Sequence, residues 1–398
     1  MGSMFLQNIR PWGGATTNMR IANGLIDAVG PDIETAHGAP IIDGGGAVLL
    51  PGLVEAHTHL DKTLWGMGWR PHQAGPSLKD KIDTERRLRV EWDIEPHRQS
   101  MRQALLSIAQ GTTAIRSHVD LDTDCGMEGF EGVARTREVL ADQVDIQIVA
   151  FPQSGLLARP GTFELMDQAL REGADVVGGL DPCGMDRDPR GHLEAVFGLA
   201  EKHGKPIDIH LHEPDELGAF SLEMILDHTR ALGMQGQVTI SHAFCLGMAD
   251  RDRARALIAE LAKEQVHIAT VASPHRPVPS AAELRSAGIY LCAGSDGIRD
   301  TWGPYGNADM LERAMHLGLR NNFRTDDEVE YALRCCTYAG AHVMGLEHYG
   351  VEPGDRADLV LVHAETVAHA VVSHPPRKLV IKGGKIVARD GRTLTDAP

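Results

Sequence analysis

The chain has 398 residues, 42% hydrophobic and 24% charged, with a formal net charge of −16. This is an ordinary globular composition, and its acidity argues against nucleic acid as a partner, which would demand a basic face. No apolar run approaches the roughly 20 residues of a membrane span, there is no signal-peptide core, and six cysteines without C-x-x-C spacing point to free thiols in a cytoplasmic setting.

Met1-Gly-Ser-Met4 reads as an appended leader and is set aside. From Phe5 to about Leu50 come short strand-like runs broken by glycine, with Asn23-Gly24 as a hairpin signal. The tail repeats the style in Ala357–Val362 and Lys378–Ala388. The two ends are therefore expected to pair into one small, discontinuous β-sandwich domain, 5–50 with 351–392.

Between them, 51–350, short apolar runs alternate with amphipathic stretches. The candidate strands are Leu53–Glu55, Thr113–Ser117, Ile146–Phe151, Val176–Leu180, Ile207–Ile209, Val238–Ser241, His267–Val271 and Ile289–Ala293. Eight strands alternating with helices predict a (β/α)8 TIM-like barrel. No glycine-rich phosphate loop follows the first strand, which counts against an open doubly wound sheet. The cluster Glu85-Arg-Arg-Leu-Arg89 reads as a solvated helix face. The stretch Leu64–Ile82, with Gly66, Gly68 and Gly75, suits either a mobile lid or a static wall.

In a barrel, chemistry sits where the strands end. His57 and His59 end the first strand, and their i, i+2 spacing puts both imidazoles on one face. His118 ends the second, Gln153 follows the third, His210, His212 and Glu213 end the fifth, His242 the sixth and Asp296 the eighth. Histidines with a carboxylate suit one Zn2+ or Fe2+ ion, whose bound water becomes acidic near neutral pH. The fourth strand region, Asp175–Asp181, holds no lysine. A bridging carboxylated lysine is thus not available there, which favours one metal over two. Glu213, three residues after His210, is placed to move a proton to a ring nitrogen. Lys62 and Trp65, just after the first strand, are candidates to line the entrance.

At His57-Thr-His-Leu-Asp61, Asp145–Gly155, Gly173–Gly178, Asp208–Glu213 and Gly294–Trp302 the chain resembles the amidohydrolase superfamily, in its cytosine deaminase-like branch. The same segments are similar to the triazine-degrading N-isopropylammelide aminohydrolases. The resemblance implies that His57, His59, His210 and Asp296 bind the metal, and that Glu213, His242 and Asp296 are catalytic. It also implies that Gln153 and Trp302 meet the substrate, with His118 and Lys62 as further candidates from the strand ends. The expected activity is hydrolytic deamination of an amino-substituted N-heterocycle: cytosine, isocytosine, a pterin or an aminotriazine. The alternatives are removal of an alkylamine from a triazine and opening of a cyclic amide. Three departures bear on the substrate: Gly297 where cytosine deaminase has a second aspartate, His212 where it is acidic, and Cys183–Arg187 after the fourth strand. Gly297 suggests a roomier pocket. Assembly into a homo-oligomer is left open.

Overall fold

The computed structural model describes residues 3–398. Met1 and Gly2, half of the run set aside as a leader, lie outside the described residues. Ser3 and Met4 do not behave as an appendage: they open the first strand and pair with Ala22 and Ile21.

The N-terminal strands are β1 (Ser3–Pro11), β2 (Thr17–Ala22), β3 (Leu25–Gly30) and β4 (Ile41–Pro51). The barrel strands are β5 (Leu53–Thr58), β6 (Thr112–Asp120), β7 (Asp145–Phe151), β8 (Val176–Leu180), β9 (Ile207–His210), β10 (Val238–Ser241), β11 (His267–Thr270) and β12 (Leu291–Ala293). The tail adds β13 (Leu359–Val362), β14 (Arg377–Lys382), β15 (Lys385–Arg389) and β16 (Arg392–Thr393).

Both chain ends do meet in one sheet, in the order β16-β15-β14-β13-β4-β1-β2-β3. The sheet folds back on itself as a sandwich. Ile26 N–H donates to the Asp355 carbonyl and Ala357 N–H to that of Gly24, tying the β2–β3 turn to the approach to β13. Leu6, Ile9, Met19 and Ile21 from one half pack with Leu359, Leu361, Leu379 and Ile381 from the other.

Strands β5 to β12 run round the barrel in sequence order, all parallel. Their apolar, β-branched side chains pack against the surrounding helices in the main core. The ring closes where Thr58 bridges Asp296 and the Asp296 N–H donates to the His57 carbonyl at 2.9 Å. Closure needs glycine at 294, where a Cβ would sit 2.4 Å from that same carbonyl oxygen.

After β5 the chain forms a loop up to Ser77, which caps helix α1 (Leu78–Glu91) through a reciprocal bond with Asp80. The segment expected as loop to Ile82 therefore ends as helix. The expectation of a solvated face over Glu85–Arg89 holds for Arg87 and is corrected for Glu85 and Arg89. Ile82, Glu85 and Leu88 recur at helical spacing and are buried, and the Arg89 side chain is only 13% exposed. Among the described residues no helix is long and apolar enough to cross a membrane.

Candidate metal centre and its cavity

The strand-end histidines converge. Donor atoms of His57, His59 and Asp296 lie within 4.8 Å of one another, as do those of His57, His210 and His242. His57 belongs to both sets, so the four expected ligands gather around it. Asp296 Oδ1 stands 3.2 Å from His59 Nε2 and 3.7 Å from His57 Nε2.

A chain of bonds sets the tautomer of His57. Arg116 Nη1 donates to Asp208 Oδ2 at 2.9 Å, Ser241 Oγ donates to Asp208 Oδ1 at 2.6 Å, and His57 Nδ1 meets Ser241 Oγ at 2.9 Å. With the hydroxyl proton committed to Asp208, Nδ1–H must donate to Ser241. Nε2 then carries a free lone pair facing Asp296. That nitrogen, His59 Nδ1, and both nitrogens of His210 and of His242 are buried without a hydrogen-bond partner. Leaving one buried polar atom unpaired costs about 1–3 kcal/mol, so so many in one place fit a cation that would satisfy them. The residues present thus suit a divalent metal. Ser241→Ala is expected to weaken metal binding roughly 10- to 100-fold, read by competition with a chelator.

Burial pushes the imidazolium forms of His210 and His242 down, and neighbouring histidines push the same way. Both are neutral, as metal or water ligation requires. Burial disfavours ionised Asp296, but the surrounding imidazoles of His57, His59 and His242 outweigh that and hold it well below the usual carboxylate range.

Three residues here adopt left-handed backbone: Asp181 (φ 36°), His242 (φ 70°) and Asp296 (φ 61°). Such conformations cost about 1–3 kcal/mol each. Each is held by its own N–H donating to a strand-end carbonyl, of His210, Ala269 and His57 respectively. The turns aim the side chains from the strand ends.

The cavity above this cluster is lined by His59, Lys62, Phe151, Gln153, Leu180, His210, His212, Asp296, Asp300 and Trp302. Gln153 and Trp302 are both among the lining residues. His118 is not among the lining residues: it is fully buried beneath the site, its ring 4.2 Å from that of His57. Lys62 is not at an entrance but buried at 3% exposure.

Glu213 also lies outside the lining. Its Oε1 accepts the N–H groups of Cys183 and Gly184 at 2.8 and 2.7 Å, and Oε2 accepts the Ser221 hydroxyl. The unusual Cys183–Arg187 segment is thus the loop that Glu213 ties down. Burial raises the Glu213 carboxyl, partly offset by Ser221. His212 faces the cavity instead. Its Nδ1 meets Asp181 Oδ2 at 2.8 Å, and its N–H donates to Asp181 Oδ1 at 2.6 Å. Burial opposes its imidazolium, but Asp181 outweighs burial and the net shift is upward. Sequence reasoning missed Asp181, Ser241 and Asp208 as supports; their only signal was a polar residue inside or just after an apolar strand.

Behind Lys62 lies a buried charge network. Lys62 Nζ donates to both Asp120 oxygens at 3.1 Å and to Gln153 Oε1 at 3.3 Å, and lies 3.5 Å from Glu85. Arg89 reaches Asp120 at 3.2 Å, Asp61 at 3.6 Å and Glu85 at 3.7 Å. Three carboxylates face two cations, so one acid is surplus. Burial raises Glu85 well up, with Asp120 beside it adding to the rise against Lys62. Burial also opposes ionised Asp120, yet Lys62 and Arg89 hold it at about 2. Burial and Asp120 raise Asp61 as well, but less far than Glu85, so the surplus proton is assigned first to Glu85. Asp120→Asn should cost about 3–5 kcal/mol by stranding two buried cations, whereas Glu85→Gln should change the melting temperature little. The Asp120 contribution is present above about pH 4 and is lost as pH falls toward 2. Equal losses in both variants would overturn this proton assignment.

The amidohydrolase family profile matches residues 40–388. The chain belongs to the amidohydrolase family. This amidohydrolase is 33% identical over 357 residues to N-isopropylammelide isopropyl amidohydrolase of Pseudomonas sp. (strain ADP), covering 88% of each chain. The crystal structure of N-isopropylammelide isopropylaminohydrolase from Burkholderia multivorans superimposes with a TM-score of 0.95 at 48% identity, over 99% of this chain and 100% of that one. That of 5-methylcytosine deaminase from Klebsiella pneumoniae, liganded with 5-fluorocytosine, gives 0.86 at 26% identity over 99% of each. The amidohydrolase is a metal-dependent hydrolase of carbon–nitrogen bonds in cyclic substrates.

Proposed function

We propose that the amidohydrolase removes an exocyclic amine from an N-heterocycle by hydrolysis, releasing ammonia and leaving an oxo group on the ring. The observation that carries this reading is one cavity faced at once by His59, His210 and Asp296 and by His212, whose ring Asp181 holds from behind. The same reading takes 51–350 as the catalytic barrel, with 5–50 and 351–392 as its small β domain.

His57, His59, His210 and Asp296 would hold one divalent ion, zinc or iron. Bound there, it supplies Lewis-acid activation of water. Asp296, half-exposed to the cavity, takes the proton that water gives up as its oxygen bonds the amine-bearing carbon. His212 delivers a proton to the adjacent ring nitrogen, so negative charge does not build up there. His242, with both ring nitrogens unpartnered, orients the attacking water and stabilises charge on the new oxygen. The carbon–amine bond then breaks: the amine leaves with the proton held by Asp296, and the proton still on the new oxygen returns to His212, which leaves the oxo group and restores both residues. Gln153, its carbonyl oxygen bonded to Lys62, turns its amide N–H2 to the ring, and Trp302 closes the cavity. The role expected of Glu213 passes to His212, because the Glu213 carboxylate is held by Cys183, Gly184 and Ser221. Six unpaired cysteines support a cytoplasmic setting.

A second reading, release of an alkylamine rather than ammonia, is favoured by the two N-isopropylammelide relatives at 48% and 33% identity. The test is amine release by metal-loaded enzyme from amino- and N-alkylamino-oxotriazines, cytosine, isocytosine and pterin, with product masses. An oxo-heterocycle plus ammonia supports the first reading, and plus alkylamine the second. Ring-opened product, or none, defeats both.

A further inference from the structure

The cavity wall holds a carboxylate that the mechanism does not use. Asp300 is 6% exposed and lines the cavity beside Lys62 and Trp302. Its Oδ1 accepts the N–H groups of Trp302 and Gly303, both at 2.8 Å, which fixes the side chain. The loop around it is clamped in turn. Leu64 N–H donates to the Arg299 carbonyl, Thr63 Oγ1 to that of Ile298, and His72 Nε2 lies 2.9 Å from the Asp300 carbonyl.

Its other oxygen, Oδ2, occupies the space of a missing side chain. A Cβ on Gly297 would stand 1.9 Å from it. The backbone at 297 is not left-handed, so the obstacle to a side chain there is Asp300 and not φ. The expectation of a roomier pocket at Gly297 is thereby corrected: the vacated space is filled by a carboxylate delivered from three residues further on.

Oδ2 has no hydrogen-bond donor among the described residues, and the nearby Lys62 ammonium is already occupied by Asp120, Glu85 and Gln153. The atom is not sealed off like the unpaired nitrogens of the histidine cluster, so it is open to a donor from a molecule in the cavity.

We infer that Asp300 is the specificity-determining residue of the cavity, its Oδ2 accepting a ring N–H of a substrate that already carries a lactam edge. Gly297 exists to make room for it. Fully aromatic amino-heterocycles, which lack a ring N–H, are selected against. This deepens the proposed function and rests on it for the substrate class, but the contact itself is testable without turnover.

The probe is 2,4,6-trioxo-1,3,5-triazine, which has ring N–H groups and no amine to lose, against its 1,3,5-trimethyl derivative. Binding of both to zinc-loaded enzyme is measured by calorimetry. The wild type should prefer the N–H form by roughly 10- to 100-fold, the worth of a hydrogen bond to a charged group. Asp300→Asn should lose most of that preference at unchanged zinc content and melting temperature. The double variant Gly297→Asp with Asp300→Gly, returning a carboxylate to the same space, should regain it. A preference that survives in Asp300→Asn would mark simple steric exclusion of the methyl groups and overturn the inference. So would a wild type that binds neither form, or a double variant that folds and loads zinc without regaining the preference. No amine release in the turnover panel, with N–H-dependent binding intact, would instead defeat the proposed reaction and leave the Asp300 contact standing.

Discussion

His57→Ala is expected to lose metal and activity together. His57 is the residue shared by all three groups of converging donors, and its Nε2 is the one lone pair whose orientation is fixed through Ser241 and Asp208. A bound metal contributes several kcal/mol to the reaction, so turnover should fall by roughly 1,000-fold or more. The variant removes a ring at 1% exposure, and a folding defect would imitate the result. The distinguishing measurement is the melting temperature with and without zinc. The wild type should gain stability on loading, because zinc binds only the folded site. The variant should melt like stripped wild type at any zinc concentration. A variant that loads a full equivalent of zinc and turns over substrate would refute the ligand assignment.

The second large effect separates two neighbouring residues. His212→Asn should lower kcat by about 100- to 10,000-fold, the usual worth of a positioned acid or base. It should also abolish the limb of the pH profile that requires a protonated group. Burial opposes that proton and Asp181 outweighs burial, so the wild-type limb should lie on the alkaline side of an ordinary histidine's. Glu213→Gln should cost less than about tenfold, since a glutamine oxygen still accepts from Cys183 and Gly184 in the manner of any neutral hydrogen bond. The reverse order of severity would return the proton to Glu213 and require its carboxylate to leave the loop that now holds it.

Why one residue of the pair was legible and the other was not is a matter of reach. The barrel strands stand out as short apolar runs between amphipathic stretches. The rule that functional groups sit at strand ends then names His57, His59, His210, His242 and Asp296 without knowledge of any loop. It does not say which way a side chain turns in the residues that follow. His212 and Glu213 are adjacent in sequence, yet one faces the cavity and the other the 183–184 loop. Asp300 depends on a turn whose shape no local pattern encodes. Helix α1 misled for a related reason. Charges buried in mutual contact, such as Glu85 and Arg89, have the same spacing as charges facing water. His118 ends a strand as well, but its ring lies against that of His57 and not along the cavity; the strand-end rule does not distinguish the rim of the barrel from the layer just beneath it.

The sheet order of the small domain bears on how this protein is made. Strand β4 lies between β1 and β13, and roughly 300 residues separate it from β13. At ribosomal rates of about 5–20 residues per second, β4 waits some 15–60 s for its partner. Throughout that time it offers an open hydrogen-bonding edge and apolar side chains meant for the sandwich. The same strand passes through Gly52 directly into β5, so the first barrel strand hangs from an unfinished platform. Yield in a foreign host should therefore depend on chaperone supply and growth temperature more than on the finished protein's melting point.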